Sequence, residues 1–339
     1  MQRFVLDSDA VAAIRKLIAE IAAKHDSAED PELLLEATTW AQELPRGLRA
    51  ALNTFRLTEP ACGCFILSGY PVDEAKVGPT PEHWDLTPRQ RAATLEEEIL
   101  LVLTGSLLGD CIGWRTQQAG RIIHDVMPVK GMEQEQIGIG SEQTIWWHTE
   151  DAFHPLHGDY LGMMFLRNPD RVPTTFASLA GLDLAPEHWQ TLFEPHYTIK
   201  PDNSHLPASA AEADADGDSH LYDQIRRMVT APEKIPILSG DPHSPYIRID
   251  PYFMDRVADN PRAQAAFEAL VQALDAKLAD LVLEPGEICF VDNRQAVHGR
   301  RAFKARYDGT DRWFKRMNIT RDLRKSRASR ADAASRIIL

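Results

Sequence analysis

Trp146–Trp147–His148–Thr149–Glu150–Asp151–Ala152–Phe153–His154–Pro155 places a histidine and a carboxylate two positions apart, directly after an apolar run (Ile145, Trp146, Trp147) that predicts the end of a buried strand. In extended backbone, residues i and i+2 turn to the same side, so the His148 imidazole and the Glu150 carboxylate can bite one ion. A third ligand stands far downstream, in Glu284–Pro285–Gly286–Glu287–Ile288–Cys289–Phe290–Val291–Asp292–Asn293–Arg294–Gln295–Ala296–Val297–His298–Gly299–Arg300. Here Pro285–Gly286 predicts a turn, Ile288 to Val291 a short apolar strand, and Asp292–Asn293 a second turn, after which His298 arrives beside a glycine.

Two histidines and one carboxylate with coordination positions left open are the ligand set of non-haem Fe(II) oxygenases. The next segment, Asp311–Arg312–Trp313–Phe314–Lys315–Arg316, narrows the chemistry. Its alternation predicts a strand returning into the core, and an arginine on the inner face can grip a dicarboxylate such as 2-oxoglutarate through its planar fork. His154 and His157 are rival ligands that Pro155 and Gly158 turn elsewhere. Two other classes stay open: a zinc hydrolase on the same three ligands, which has no use for such an arginine, and a non-catalytic β-helix binding protein.

His148-x-Glu150, distant His298 and downstream Arg312 resemble the Fe(II)/2-oxoglutarate-dependent dioxygenases, and more narrowly the clavaminate-synthase-like group that hydroxylates free amino acids, the arginine, lysine and asparagine hydroxylases among them. The likeness runs from about residue 110 to 318. It includes Gly158–Asp159–Tyr160–Leu161–Gly162, Leu166–Arg167–Asn168–Pro169–Asp170, Pro201–Asp202–Asn203–Ser204 and Arg248–Ile249–Asp250–Pro251. The resemblance implies an α+β fold whose double-stranded β-helix (jelly-roll) core is flanked by helices, with Fe(II) as cofactor and 2-oxoglutarate and O2 as co-substrates. It implies that Arg312, helped by Thr175, holds the far carboxylate of 2-oxoglutarate. For the amino acid it implies Arg316 on the α-carboxylate, Gln117 and Glu150 near the amine, and Asp202, Ser204, Asp250 and Tyr252 around the side chain.

Tyr252 stands where the arginine hydroxylases of this group carry a second aspartate. A guanidinium is usually gripped by paired carboxylates, so the expected substrate is a free cationic amino acid with lysine ahead of arginine, hydroxylated at C3 or C4. Arginine, citrulline or another amino acid, and desaturation, are the alternatives. Ser141 is the nearest counterpart of a serine expected on the substrate carboxylate, and the presence of Glu150 argues against a halogenase.

The 339 residues are 44% apolar and 26% charged, a composition that predicts one domain over 1–339 with a helical flank at about 1–60. No run approaches the roughly eighteen apolar residues of a membrane span and the N-terminus has no signal-peptide pattern, so a cytoplasmic protein is expected. Four scattered cysteines make no disulfide framework. A net charge of −13 argues against nucleic acid as partner; a homo-oligomer stays open.

Apolar spacing predicts helices over 9–24 (capped by Asp7 or Ser8), 31–41, 45–55, 96–108 and 261–281. Strands are expected at 64–67, 122–126 and 144–147, and a hairpin of 160–166 with 172–179 across Asn168–Pro169–Asp170. Residues 72–92 read as a long connection, and 130–141 as a segment over the site. Glu212, Asp214, Asp216 and Asp218 mark a loose acidic stretch, within a candidate lid at about 203–222. From Asp322 the tail is basic, a helical or frayed surface.

Overall fold

The computed structural model describes residues 1–206 and 219–339, so most of the acidic stretch and of the candidate lid lies outside the described residues. Its strands are β1 (Gln2–Val5), β2 (Cys64–Ser68), β3 (Asp110–Trp114), β4 (Ile123–Val126), β5 (Ile145–His148), β6 (Tyr160–Arg167), β7 (Thr174–Ser178), β8 (Leu238–Asp241), β9 (Ser244–Ile247), β10 (Ala279–Leu281), β11 (Ile288–Asp292), β12 (Ala296–Arg300), β13 (Trp313–Thr320) and β14 (Ile337–Ile338). Eight form a large sheet in the order β1-β2-β11-β6-β13-β3-β14, with β4 also paired to β13, and four form a smaller sheet in the order β10-β7-β12-β5. These are the two faces of a jelly roll.

Alternation along the large-sheet strands shows why the sequence needs both a partner sheet and helices. Cys64 and Ile66 of β2, Leu161, Met163 and Phe165 of β6, and Cys289 and Val291 of β11 meet Phe176 and Ala296 of the smaller sheet in one buried cluster. The intervening residues Phe65, Leu67, Tyr160, Met164, Ile288 and Phe290 face the other way, against helices Ser8–Ala22, Pro31–Ala41, Arg46–Thr58 and Leu95–Ser106. Ile14, Ile18, Ile21, Leu48 and Leu52 are fully buried there. At about 1.5–3 kcal/mol for each such side chain, this outer layer matches the inner core in scale. The smaller sheet is backed in the same way by helix Pro261–Asp275, whose Ala266, Leu270 and Leu274 pack with Trp147, Ala177 and Val297.

Asp7 caps the first helix by accepting from the Ala10 amide, as its sequence predicts. The expected hairpin of 160–166 with 172–179 does not form: β6 pairs with β11 and β13, while β7 pairs with β10 and β12. The Asn168 turn instead carries the chain between sheets, its amide binding the Val172 and Leu283 carbonyls at 3.2 and 3.1 Å. The last predicted helix also stops early, at Asp275, and β10 takes up 279–281. The connection at 72–92 holds two short helices, Glu74–Val77 and Pro88–Ala93, and the tail a 3-10 helix at Leu323–Ser329.

Along β13, Phe314 and Arg316 face the inside of the roll while Lys315 points outward beneath the helices, fully buried. Its Nζ lies 2.7 Å from Glu98 Oε1 and 2.6 Å from Asp125 Oδ1. Replacing Lys315 by Ala leaves these two buried carboxylates with only the more distant Arg121 as cation among the described residues, at 3.9 and 3.8 Å, so denaturant unfolding should show a loss of about 3–5 kcal/mol.

Candidate active site

The site is built on a strand register. In the antiparallel pair β5 and β12, His148 stands directly opposite His298, and side chains of opposed residues on one face meet. Their rings lie 4.7 Å apart between centroids. The ladder is irregular just beyond, between His298 and Arg300. A Cβ at Gly299 would sit 2.5 Å from the Ile145 carbonyl oxygen, so only glycine lets the two strands approach this closely.

Glu150, just past the end of β5, is pinned by its backbone. Its amide donates to Asn293 Oδ1 at 2.6 Å, and Asn293 Nδ2 donates to the Glu150 carbonyl at 3.0 Å. Between the ligands, the Thr149 amide donates to the Ile249 carbonyl at 2.9 Å, and Thr149 Oγ1 accepts from the Ile249 amide at 3.1 Å. Glu150 Oε2 thereby comes within 3.7 Å of His148 Nε2 and 3.2 Å of His298 Nε2, and the three ligand atoms all lie within 4.8 Å of one another. His148 Nδ1 is 2.8 Å from the Trp146 carbonyl, which can only accept, so Nδ1 carries the proton of the neutral ring and Nε2 is free for a metal. His154 and His157 take no part: His154 packs edge-on against Trp114, and His157 Nε2 meets Arg294.

Burial opposes the charged form of both members of the His148–Glu150 pair, and neighbours overrule it. Hydrogen bonding to Glu150, with the charges of Asp250 and Glu150, raises His148 to about 9. Arg316 and the two histidines hold Glu150 well below the usual carboxylate range. His298 is pushed down by burial.

These residues open into a cavity of about 410 Å³. Arg312 lines it just before β13, over the rings of Phe314 and Phe165 at 4.4 and 4.9 Å. Burial, and then the neighbouring Arg300, lower Arg312 to about 9. It donates to Thr174 Oγ1 at 3.2 Å, and its Nε has no hydrogen-bond partner among the described residues. Such a guanidinium fits a carboxylate ligand. Thr174, and not the expected Thr175, shares the cavity with Arg312: β7 alternates, so Thr174 and Phe176 face inward while Thr175 turns its hydroxyl toward the Gly299 backbone. Arg300, which the sequence reading passed over, also lines the cavity and binds the Gln143 carbonyl at 2.8 Å. Its signal was the spacing of two from His298.

Arg316 reaches Glu150 Oε1 at 2.5 Å, His124 Nδ1 at 2.8 Å and Gln117 Oε1 at 3.5 Å. Burial and Arg316 push His124 well below the usual imidazole range, so its Nδ1 accepts from the guanidinium; His124 too was missed. Gln117 Nε2 donates to Ser204 Oγ at 2.6 Å, and the Ser204 amide to Asp202 Oδ1 at 2.7 Å. Asp250 is raised to about 6, chiefly by burial, with His148 opposing and Asp202 adding to the rise. Tyr252 lies half exposed at the cavity rim, and Ser141 does not line the cavity.

Residues 105–318 match the model of the taurine catabolism dioxygenase TauD, TfdA family. The chain belongs to the TauD/TfdA dioxygenase family. An L-ornithine/L-arginine 3-hydroxylase of Catenulispora acidiphila is 44% identical to this dioxygenase over 100% of both chains. An enduracididine beta-hydroxylase of Streptomyces hygroscopicus is 45% identical over 98% of each. The non-heme iron oxygenase OrfP, solved in complex with Fe, succinate and (3S)-hydroxy-L-Arg, superposes with a TM-score of 0.94 at 41% identity over 100% of both chains. OrfP has also been solved with Fe and alpha-ketoglutaric acid. The dioxygenase is thus an Fe(II)/2-oxoglutarate-dependent hydroxylase of free amino acids, with the donor set of His148, Glu150 and His298 suited to Fe(II).

The expected preference for lysine finds no support among these relatives. Asp202 and Asp250, both expected around the side chain, line one cavity from separate loops.

A metal must displace the His148 proton. Iron loading of the apoprotein should therefore strengthen as pH rises and level off near 9, weakening up to tenfold per unit below that; metal titrations from pH 6 to 9 measure it. Changing Arg312 to Lys keeps the charge and loses the fork. Removing about 1.5–3 kcal/mol of charged hydrogen bonding should raise the KM for 2-oxoglutarate roughly 10- to 100-fold, as a co-substrate titration reads, with a much smaller change in KM for the amino acid.

Proposed function

We propose that this dioxygenase hydroxylates a free L-amino acid whose side chain ends in a guanidine, L-arginine first, at an unactivated C–H of C3. The observation that carries this reading is the pair Asp202 and Asp250, two carboxylates brought to one cavity from separate loops. Two carboxylates at one cavity can each accept from the planar, five-donor fork of a guanidinium, whereas an ammonium is a single point charge. Among the substrates that the relatives' names give, arginine and enduracididine support a guanidine group while ornithine ends in an amine, and their 3- and beta-hydroxylation supports C3.

When bound, Fe(II) with 2-oxoglutarate supplies the oxidising power: one oxygen atom of O2 goes to the amino acid as hydroxyl, the other to succinate, and CO2 is released. The chain supplies position. Arg312 with Thr174 holds the distal carboxylate of 2-oxoglutarate. Arg316, steadied by neutral His124, takes the amino acid carboxylate, while Glu150 and Gln117 meet its amine. Asp202 and Asp250 grip the guanidinium, with Tyr252 at the rim and Ser204 tying Asp202 to Gln117. The enclosing aromatic residues keep water from the reacting carbon.

The test is turnover of the iron-loaded enzyme on a panel of arginine, enduracididine, ornithine, citrulline and lysine, reading succinate and a gain of sixteen mass units. Arginine or enduracididine should lead lysine and citrulline, and Asp250→Asn should raise the arginine KM roughly 10- to 100-fold, the loss of about 1.5–3 kcal/mol. Lysine or citrulline turning over ahead of both guanidine amino acids would refute the reading.

A further inference from the structure

Glu150 and Asp151 are adjacent carboxylates that point to different places. At Asp151 φ is 50°, in the left-handed region that aspartate tolerates better than most side chains. The turn leaves Glu150 at the metal and sends Asp151 into a buried nest. Its Oδ2 accepts from Trp114 Nε1 at 2.5 Å and from Asn318 Nδ2 at 2.8 Å. Its Oδ1 lies 3.1 Å from Nε2 of His205, which is fully buried. The other nitrogen of that ring is 2.7 Å from Thr116 Oγ1, and the ring stands edge-on to Phe153 and Trp114 at 4.6 and 5.7 Å.

His205 closes the short turn Asn203–His205 that Asp202 caps, and its amide donates to the Asp202 carbonyl at 3.2 Å. His205 does not itself line the cavity, whereas Asp202 and Ser204 do. The ligand-type atoms of Asp151, Asp202 and His205 lie within 4.8 Å of one another. Both Asp151 oxygens are already engaged by core donors, so the cluster has the character of a lock and not of a second metal site.

We infer that the Asp151–His205 bond is a specificity lock: it anchors the Asp202–Ser204 turn to the residue after the metal ligand, and so fixes where the Asp202 carboxylate meets the substrate side chain. This rests on the reading that Asp202 grips a guanidinium. His205 is then a positioning residue, acting through Asp202. Its ring carries out the task by shape and by two directed hydrogen bonds, because a carboxylate can only accept and Nε2 must donate.

The experiment compares iron-loaded wild type, His205→Ala, His205→Gln, Asp202→Asn and the His205→Ala/Asp202→Asn double variant for KM and kcat on arginine and citrulline and for KM on 2-oxoglutarate. His205→Ala should raise the arginine KM about tenfold or more and erode the preference for arginine over citrulline, with the KM for 2-oxoglutarate unchanged. His205→Gln, whose amide can donate to Asp151 and accept from Thr116, should recover most of the loss. The double variant should bind arginine no worse than Asp202→Asn alone. Should His205→Ala not fold, His205→Phe, which keeps a ring against Phe153 and Trp114 and drops both hydrogen bonds, should give the same loss of preference. If His205→Ala, or His205→Phe in its place, keeps the wild-type preference while Asp202→Asn loses it, the lock is refuted and the substrate reading stands. If Asp202→Asn itself keeps the preference, the substrate reading falls and the lock with it. Equal losses on arginine, citrulline and 2-oxoglutarate would show general damage and overturn the lock.

Discussion

The pairing of His148 with His298 across β5 and β12 is the constraint on which the active site depends. A slip of one residue would turn each side chain of one strand to the opposite face and put an imidazole outside the roll. The register is held from outside as well. Trp147 donates its indole N–H to Asp275 at 2.6 Å, and Val297 packs fully buried against the same helical layer. The alternate residues, His148 and His298, are consequently forced inward. The helices behind the smaller sheet thus act on the metal chemistry without touching it.

Charge follows the same division between inside and outside. Outside the roll, Lys315 is buried with two carboxylates around it, so the cost of removing it from water is offset locally. Inside, Arg312 is just as buried but has no carboxylate beside it among the described residues, and the charged neighbour that most disturbs it is another arginine, Arg300. Asp250 shows the opposite imbalance, with burial, and then Asp202, outweighing His148 and the Tyr252 and Phe253 amides that favour its charge. A protein gains no stability from such groups left uncompensated. Under the proposed function, ligands of opposite charge account for their persistence in one cavity, a dicarboxylate for the arginines and a cation for the aspartates.

Much of this was legible because it is local. The helix over 31–41 and the Asp7 cap are written in neighbouring residues, and the spacing of His148, Glu150, His298 and Arg312 is a strong chemical signal even at long range. Pairing was not legible. Short apolar strands do not name their partners, so β6 and β7 read as a hairpin although they belong to opposite sheets. The same ignorance of phase shifted the threonine assignment by one, since two threonines in a row carry no mark of which faces inward. Arg300 and His124 escaped because each gains its meaning from contacts with distant loops or strands. Tyr252 misled for a related reason: its departure from aspartate outweighed Asp202 and Asp250, which stand 48 positions apart in the chain and come to one cavity only in the fold.

His148–Thr149–Glu150–Asp151 therefore does more than bind metal. Its first and third residues converge on the ion, and its second and fourth reach outward to the chain segments that carry the substrate-side carboxylates. Thr149 is bonded to Ile249, next to Asp250; Asp151 is bonded to His205, three residues from Asp202. Each carboxylate is thus tied to the ligand strand through one short hydrogen-bonded step. Because the carbon that reacts is the one placed nearest the metal, an error of an ångström in either step is costly. Under the proposed function, anchoring both carboxylates to the four-residue stretch that carries two of the three metal ligands makes the distance between metal and side-chain terminus depend on one strand end.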